Sequence, residues 1–358
     1  MGRHQRRLAA TARHLSSASS RAPAAAPSPA RSVGIALMGY GAIGVPVAQA
    51  LLHGTHGMAD AACPCHLAAV LVSTPRPRPA ELPPSVVWTT DADEFFAADW
   101  QLCAEAAGQP AVVEHAGRLV ELGRDLLVTS VGALTSDALY DSLIRSVSAP
   151  SGGRLLVAAG AMPAVDWMAS ASLGVAPEEL DVTFVQTKPP NSWIGARYSS
   201  ASRLLLLLLP AAAANPDLHA GSGDPEPDVI DFGSLDEPAT FFEGSAREAA
   251  TQYPKNSNIA AMLALATAGL DATKVKLVAG GFTSCACSFY GFFRQMLVIA
   301  DPTPPIRNLA RVSFCGPVGK LDVEVEGAQS ANPRTGAVVP LTVLKAIKNS
   351  IGGLVLGA

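Results

Sequence analysis

The first strong signal in the chain is a run of six apolar or small residues, Val33-Gly34-Ile35-Ala36-Leu37-Met38. A short run with no polar alternation reads as a strand buried on both faces, the habit of a parallel sheet. Over residues 45–52 the period changes, and Val47, Leu51 and Leu52 fall on one helical stripe. A second buried strand is predicted at 67–72 (LAAVLV). The alternation continues with a strand at 100–103, a helix over 112–122, a strand over 125–130 and another over 154–158. Strands alternating with helices in this way predict an α/β fold that opens with a doubly wound parallel sheet.

Between the first strand and the first helix lies Gly39-Tyr40-Gly41-Ala42-Ile43-Gly44, a G-x-G-x-x-G spacing. The strand before it and the helix after it give the pattern its meaning. Gly39 permits a tight turn, Gly41 leaves the backbone open to a pyrophosphate, and Gly44 lets helix and strand approach. The N–H groups of Ala42, Ile43 and Gly44 then open the helix, where its dipole favours an anion. Residues 32–160 are therefore expected to form a Rossmann dinucleotide-binding domain. After the second strand comes Ser73-Thr74-Pro75-Arg76-Pro77-Arg78, with two arginines and no acid. An acid there holds a ribose 2′-hydroxyl, and an arginine accommodates a 2′-phosphate. NAD and NADP both fit this loop. The small residues of Val131-Gly132-Ala133-Leu134 and Ala159-Gly160-Ala161 end later strands and are candidate walls for a nicotinamide ring.

Composition narrows the classes. The 358 residues suffice for two domains, with 49% apolar and 16% charged residues. A net charge of −4 gives no electrostatic basis for nucleic acid or an anionic membrane. No apolar run approaches the ~20 residues of a membrane span. The longest run of one residue type, Leu204 to Leu209, is stopped by Pro210. Six cysteines are present, with Cys63/Cys65 and Cys285/Cys287 at C-x-C rather than C-x-x-C spacing, so no metal site is expected. Residues 1–31 are rich in Ala and Ser and carry Arg3, Arg6, Arg7, Arg13, Arg21 and Arg31, and no acid precedes Asp60. That is the composition of a transit peptide and predicts an organellar address, mitochondrion or plastid.

Several stretches resemble the L-aspartate dehydrogenase family. They are Glu105-Ala106-Ala107-Gly108-Gln109, Ser130-Val131-Gly132-Ala133-Leu134 and Lys188-Pro189-Pro190-Asn191-Ser192-Trp193. Most specific are Phe242-Glu243-Gly244-Ser245-Ala246-Arg247-Glu248 and Tyr253-Pro254-Lys255-Asn256-Ser257-Asn258. Val323-Glu324-Val325-Glu326 and Asn332-Pro333-Arg334-Thr335 complete the set. The resemblance implies a Rossmann domain followed, over 161–334, by an α/β catalytic domain with a mixed sheet. A C-terminal helix at about 335–350 then returns to the first domain. It implies oxidation of L-aspartate at Cα by NAD(P), yielding iminoaspartate for hydrolysis to oxaloacetate and ammonia or for NAD biosynthesis, and it suggests a homodimer. Besides the glycine loop, the implied cofactor contacts are Ala133 and Asn258. Asn258 also suits the N-cap of a helix over 259–268.

The chain departs from the family pattern twice. The position of the family's catalytic histidine falls on Ala310, and the last histidine in the chain is His219. Alanine can neither take a proton from the amine nor activate water. Lys188 and Lys255 are the remaining candidate bases, and with Arg247 the candidate cations for the two substrate carboxylates. The second departure is an aromatic, Cys-rich, nearly uncharged insertion at about 280–300. Its composition fits a translated intron or, failing that, a hydrophobic lid. Another insertion, about 198–235, reads as an apolar helix and an acidic loop. Three functions follow for testing: an aspartate dehydrogenase, an NAD(P)-binding pseudoenzyme, and a dehydrogenase of another small amino acid such as homoserine.

Overall fold

The structure, a computed structural model, describes residues 32–58, 64–188, 239–254, 256–279, 296–300, 308–328, 330, 335–352 and 355. The proposed leader and the insertion at 198–235 lie outside these residues. Contacts divide the chain into two units, residues 1–160 with 338–358, and residues 161–337.

The first unit is built on a six-stranded sheet. Its strands are β1 (Val33–Met38), β2 (Cys65–Leu71), β3 (Val87–Thr89), β4 (Leu102–Glu105), β5 (Asp125–Val128) and β6 (Leu155–Val157). Their order is β3-β2-β1-β4-β5-β6 and every pair is parallel. The order reverses between β1 and β4, which places a crevice at their carboxyl ends. Helices α1 (Gly44–His53), α2 (Ala92–Ala97), α3 (Gln109–Glu121) and α4 (Asp137–Val147) complete the alternation. The third strand was not legible as one, being only three residues long. The fourth starts two residues later than its pattern suggests, because Trp100 belongs to the turn before it. There the indole packs 5.0 Å from the Phe95 ring and donates from Nε1 to the Phe95 carbonyl at 2.9 Å.

Ile35, Leu37, Val47, Leu51, Val70, Leu102 and Leu127 form the core of this unit. The C-terminal helix, Val339–Ile351, joins it through Val343, Leu344 and Ile347. Arg154 reinforces the attachment by donating from Nη2 to the Ser350 carbonyl at 3.3 Å.

The second unit carries its own six-stranded sheet, ordered β12-β11-β7-β10-β9-β8. The strands are β7 (Asp181–Lys188), β8 (Ala239–Ser245), β9 (Lys274–Ala279), β10 (Met296–Ala300), β11 (Asn308–Gly316) and β12 (Gly319–Gly327). Strand β10 runs parallel to β7 and β9, and the other pairs are antiparallel, so the sheet is mixed. Helices α5 (Val165–Ala171), α6 (Ala246–Gln252) and α7 (Asn258–Ala266) accompany it. Helix α6 is fixed by a capping box. Ser245 accepts from the Glu248 N–H, and Glu248 accepts from the Ser245 N–H. Along β11, Ala310, Val312 and Phe314 are buried, while Arg311 and Cys315 are exposed. Trp167 of α5 packs edge-on against Phe314 at 5.5 Å.

Of the insertion at about 280–300, residues 280–295 lie outside the described residues, and Met296–Ala300 is a sheet strand with hydrogen-bonded neighbours on both sides. Its Val-Ile-rich sequence suits a central parallel strand.

Ile347 has no exposed surface although its helix lies far along the chain from the sheet that it covers. Ile347→Ala is expected to lower unfolding free energy by about 2–5 kcal/mol, as for other buried truncations. Chemical denaturation would check this, and an unchanged midpoint would place the C-terminal helix outside the core.

Candidate nucleotide and substrate sites

The glycine loop leaves β1 with its backbone already anchored, the Gly39 N–H donating to the Leu71 carbonyl at 2.8 Å. Gly39 has a φ of +97°, and a Cβ there would lie 2.5 Å from the Ala106 carbonyl oxygen. Only glycine satisfies both conditions. A Cβ on Gly44 would lie 2.2 Å from the Gly39 carbonyl oxygen. At Gly41 a Cβ would meet nothing within 4 Å. Gly39 and Gly44 thus close the turn, while Gly41 faces open space that a phosphate can approach. Val45 N–H bonds back to the Gly41 carbonyl at 2.9 Å. Among the described residues the N–H groups of Ala42, Ile43 and Gly44 make no backbone hydrogen bond, and they open the ten-residue α1. Pro46 sits in that first turn, where a missing N–H leaves no bond unmade.

Beside this loop lies Glu105, the last residue of β4, with 0% of its surface exposed. Its Oε1 accepts from the N–H groups of Ala107 (2.9 Å) and Gly108 (2.8 Å) and from Ser130 Oγ (2.9 Å). Its Oε2 accepts from the N–H groups of Thr129 (3.1 Å) and Ser130 (2.8 Å). Burying an unpaired carboxylate is costly, and here five donors offset that cost in place of a cation. One carboxylate therefore fixes the loops after β4 and β5 together. Ala133 follows in a short 3-10 helix, Val131–Thr135, and is itself buried. The neighbouring Cys103 thiol is pushed well above its ordinary value by burial and then by the Glu105 charge, which makes it unreactive.

On the other side of the glycine loop, Arg76 donates from Nη2 to the Tyr40 carbonyl at 2.9 Å. Its guanidinium carbon lies 5.6 Å from the Tyr40 ring centre and 5.2 Å from that of Trp88. The two rings meet edge to face at 5.1 Å. Trp88 Nε1 donates to the Arg76 carbonyl at 3.2 Å, so both ends of the residue are held. Tyr40 donates its hydroxyl to Glu81, and burial, with Glu81 adding to it, raises the phenol to about 12. Val72, Pro75, Arg76, Trp88, Thr89 and Thr90 line a cleft of about 250 Å³.

In the second unit, Ala310 on β11 stands opposite Gln186 on β7 and Val325 on β12. Ala310 and Gln186 are each only 5% exposed. Among the described residues Gln186 Oε1 has no hydrogen-bond partner and is a buried acceptor on this face. Among the described residues no group of three or more His, Cys, Asp and Glu is arranged to hold a metal.

Comparison with known proteins bears on both units. Residues 39–158 match the NAD-binding domain model of homoserine dehydrogenase, and residues 214–281 match the C-terminal domain model of aspartate dehydrogenase. L-aspartate dehydrogenase 2 of Bordetella bronchiseptica is 32% identical over 328 residues, 90% of this chain and 98% of its own. L-aspartate dehydrogenase of Ruegeria pomeroyi is 31% identical over 248 residues, 69% of this chain and 70% of its own. This chain belongs to the L-aspartate dehydrogenase family. Its fold also matches the crystal structure of Thermotoga maritima aspartate dehydrogenase. The TM-score is 0.56 with 17% identity, over 91% of this chain and 100% of that one. The cofactor of the family, NAD(P), fits the open Gly41 and the uncommitted N–H groups at the start of α1.

Several residues singled out by the family resemblance take clear positions. Asn258 is the first residue of α7, not its cap. The cap position falls to Ser257, whose hydroxyl donates instead to the Ala249 (2.8 Å) and Tyr253 (2.9 Å) carbonyls. The half-buried Asn258 side chain is therefore not assigned to helix capping. Arg247 is committed to Asp271 through two bonds, Nε to Oδ1 at 2.6 Å and Nη2 to Oδ2 at 2.8 Å, and is a poor receptor for a substrate carboxylate. Lys188 ends β7, and Lys255 lies outside the described residues. Sequence reasoning missed three features: the role of Glu105, the pairing of Arg76 with Trp88, and the open Gln186 acceptor. Only the first left a trace, an acid at the end of an apolar run.

Gly41→Ala is expected to leave stability within about 0.5 kcal/mol, while weakening NAD(P)H binding about tenfold or more, some 1.4 kcal/mol. Gly44→Ala should instead cost about 1–3 kcal/mol of folding free energy through overpacking. Thermal melts with and without NAD(P)H separate the two, and equal behaviour would contradict the assignment. Glu105→Gln sets an amide N–H₂ against backbone donors and should cost at least about 2 kcal/mol. An unchanged denaturation midpoint in that variant would refute the carboxylate's tethering role.

Proposed function

We propose that this chain oxidises L-aspartate at Cα, passing the hydride to NAD(P)⁺. The observation that carries this is the alignment of L-aspartate dehydrogenases across nine-tenths of the chain, both units included. The cofactor, when bound, supplies the hydride acceptor. The chain's own residues hold it. Ala42, Ile43 and Gly44 offer N–H groups to the pyrophosphate, and Gly41 leaves room for it. Ala133 and Asn258 are the further contacts implied by the resemblance. An asparagine amide can both donate and accept, which suits a carboxamide. The amine of aspartate gives up a proton and Cα gives up hydride, leaving iminoaspartate. Water adds to the C=N carbon, ammonia leaves, and oxaloacetate remains. The open Gln186 oxygen can accept an N–H of the substrate. As part of the same proposal, iminoaspartate also feeds NAD biosynthesis, residues 1–31 act as an organellar transit peptide, and the protein is a homodimer.

A second function, an NAD(P)-binding pseudoenzyme, is favoured by one observation. Ala310 has Gln186 and Val325 as its cross-strand neighbours, and neither can take up a proton at neutral pH. In the first function Lys188 or Lys255 must take the proton, or water must do so unaided.

Nicotinamide absorbance would be followed for the purified chain with L-aspartate and NAD⁺ or NADP⁺. The dehydrogenase predicts aspartate-dependent reduction, and Ala310→His should raise kcat by about 10²–10⁴-fold, the usual contribution of a placed general base. NAD(P)H binding with no turnover in either protein would establish the pseudoenzyme instead. Turnover of homoserine but not aspartate would replace the substrate assignment.

A further inference from the structure

We infer that Arg76 is a receptor for the 2′-phosphate of NADP(H), and that this chain prefers NADP(H) to NAD(H). The inference rests on the nucleotide-binding half of the proposed function and not on the aspartate chemistry.

In a Rossmann unit the adenosine ribose lies beside the end of the second strand, where an acid selects the free 2′-hydroxyl. Here β2 is followed by Val72-Ser73-Thr74-Pro75-Arg76, with no acid among them. The nearest acid further along the loop is Glu81, which is occupied by the Tyr40 hydroxyl at 3.1 Å. The five residues that follow β2 therefore hold no acid to select the free 2′-hydroxyl.

The attractive element is Arg76 itself. A guanidinium has five N–H donors, and a single one is given to the Tyr40 carbonyl of the glycine loop. Among the described residues no carboxylate forms an ion pair with it. The Tyr40 and Trp88 rings and the bond from Trp88 Nε1 to the Arg76 carbonyl fix its position. A fixed guanidinium loses little freedom when it binds, and its remaining donors suit a phosphate. Arg78, identical in sequence character, is turned elsewhere. It donates from Nε to the Leu82 carbonyl at 3.4 Å and also to the Pro83 carbonyl. Val72, Pro75, Trp88, Thr89 and Thr90 line the adjoining cleft together with Arg76.

The test is direct binding, without substrate. The full chain would be titrated with NADPH and NADH, following nicotinamide fluorescence. Bound NADPH would then be displaced with 2′,5′-ADP or 5′-ADP. NADPH and 2′,5′-ADP should each bind about tenfold to a hundredfold tighter than their counterparts, the worth of charge-assisted bonds to one phosphate. Arg76→Gln should erase that margin while holding NADH affinity within about threefold, and Arg78→Gln should keep it. Equal affinity of the unaltered chain for both cofactors, or a preference that survives Arg76→Gln, overturns the inference. If Arg76→Gln does not fold, the comparison of 2′,5′-ADP with 5′-ADP on the unaltered chain decides alone. Binding of neither cofactor overturns the nucleotide reading itself. Failure of aspartate turnover leaves all of these affinities unaffected.

Discussion

A carboxylate with no exposed surface holds the nucleotide-binding unit in shape. Glu105 gathers four backbone N–H groups and one hydroxyl from the loops after β4 and β5. Without it those donors would converge on an empty point in a low-dielectric interior, which is costly for each of them. The constraint propagates outward. Glu105 sets the path of Ala106 and Ala107, and the glycine loop packs directly on that path. Gly39 must lack a Cβ because the Ala106 carbonyl stands where one would be. Gly44 must lack one because of Gly39. The form of the glycine loop is thus fixed from a residue outside it.

The second unit follows a different logic. Its sheet joins antiparallel hairpin pairing at β11–β12 with a parallel centre at β7-β10-β9. Antiparallel neighbours arise from short turns, as between Gly316 and Gly319. Parallel ones demand crossovers and tie distant segments together. Alternation along β11 buries Ala310, Val312 and Phe314 and exposes Arg311, which pairs with Glu324. The buried face holds Gln186 with an open acceptor beside a methyl group, a polar opportunity without a proton acceptor. The glycine loop keeps the sterics of its motif, whereas Ala310 stands where the family resemblance implies a histidine.

The outline of the fold and the turn that the glycine loop makes could be read from the chain directly. Apolar runs and helical stripes follow from neighbours a few residues apart, and the demands on Gly39, Gly41 and Gly44 follow from a six-residue turn. The absence of a histidine at Ala310 was legible too, since the last histidine is His219. Such features depend on local sterics and periodicity, which a sequence carries within itself. What the sequence left open was settled by partners far along the chain. Glu105 reaches donors 24 and 25 residues away. Arg76 and Arg78 are equivalent as letters, and only the position of Tyr40 and Trp88 separates them. Met296–Ala300 became a strand because two others lie ready to bond it, and Asn258 lost the cap position because Ser257 precedes it in the turn. Hydrogen bonds and ring contacts between remote segments exist only once the chain has folded, so the tertiary structure alone could decide them.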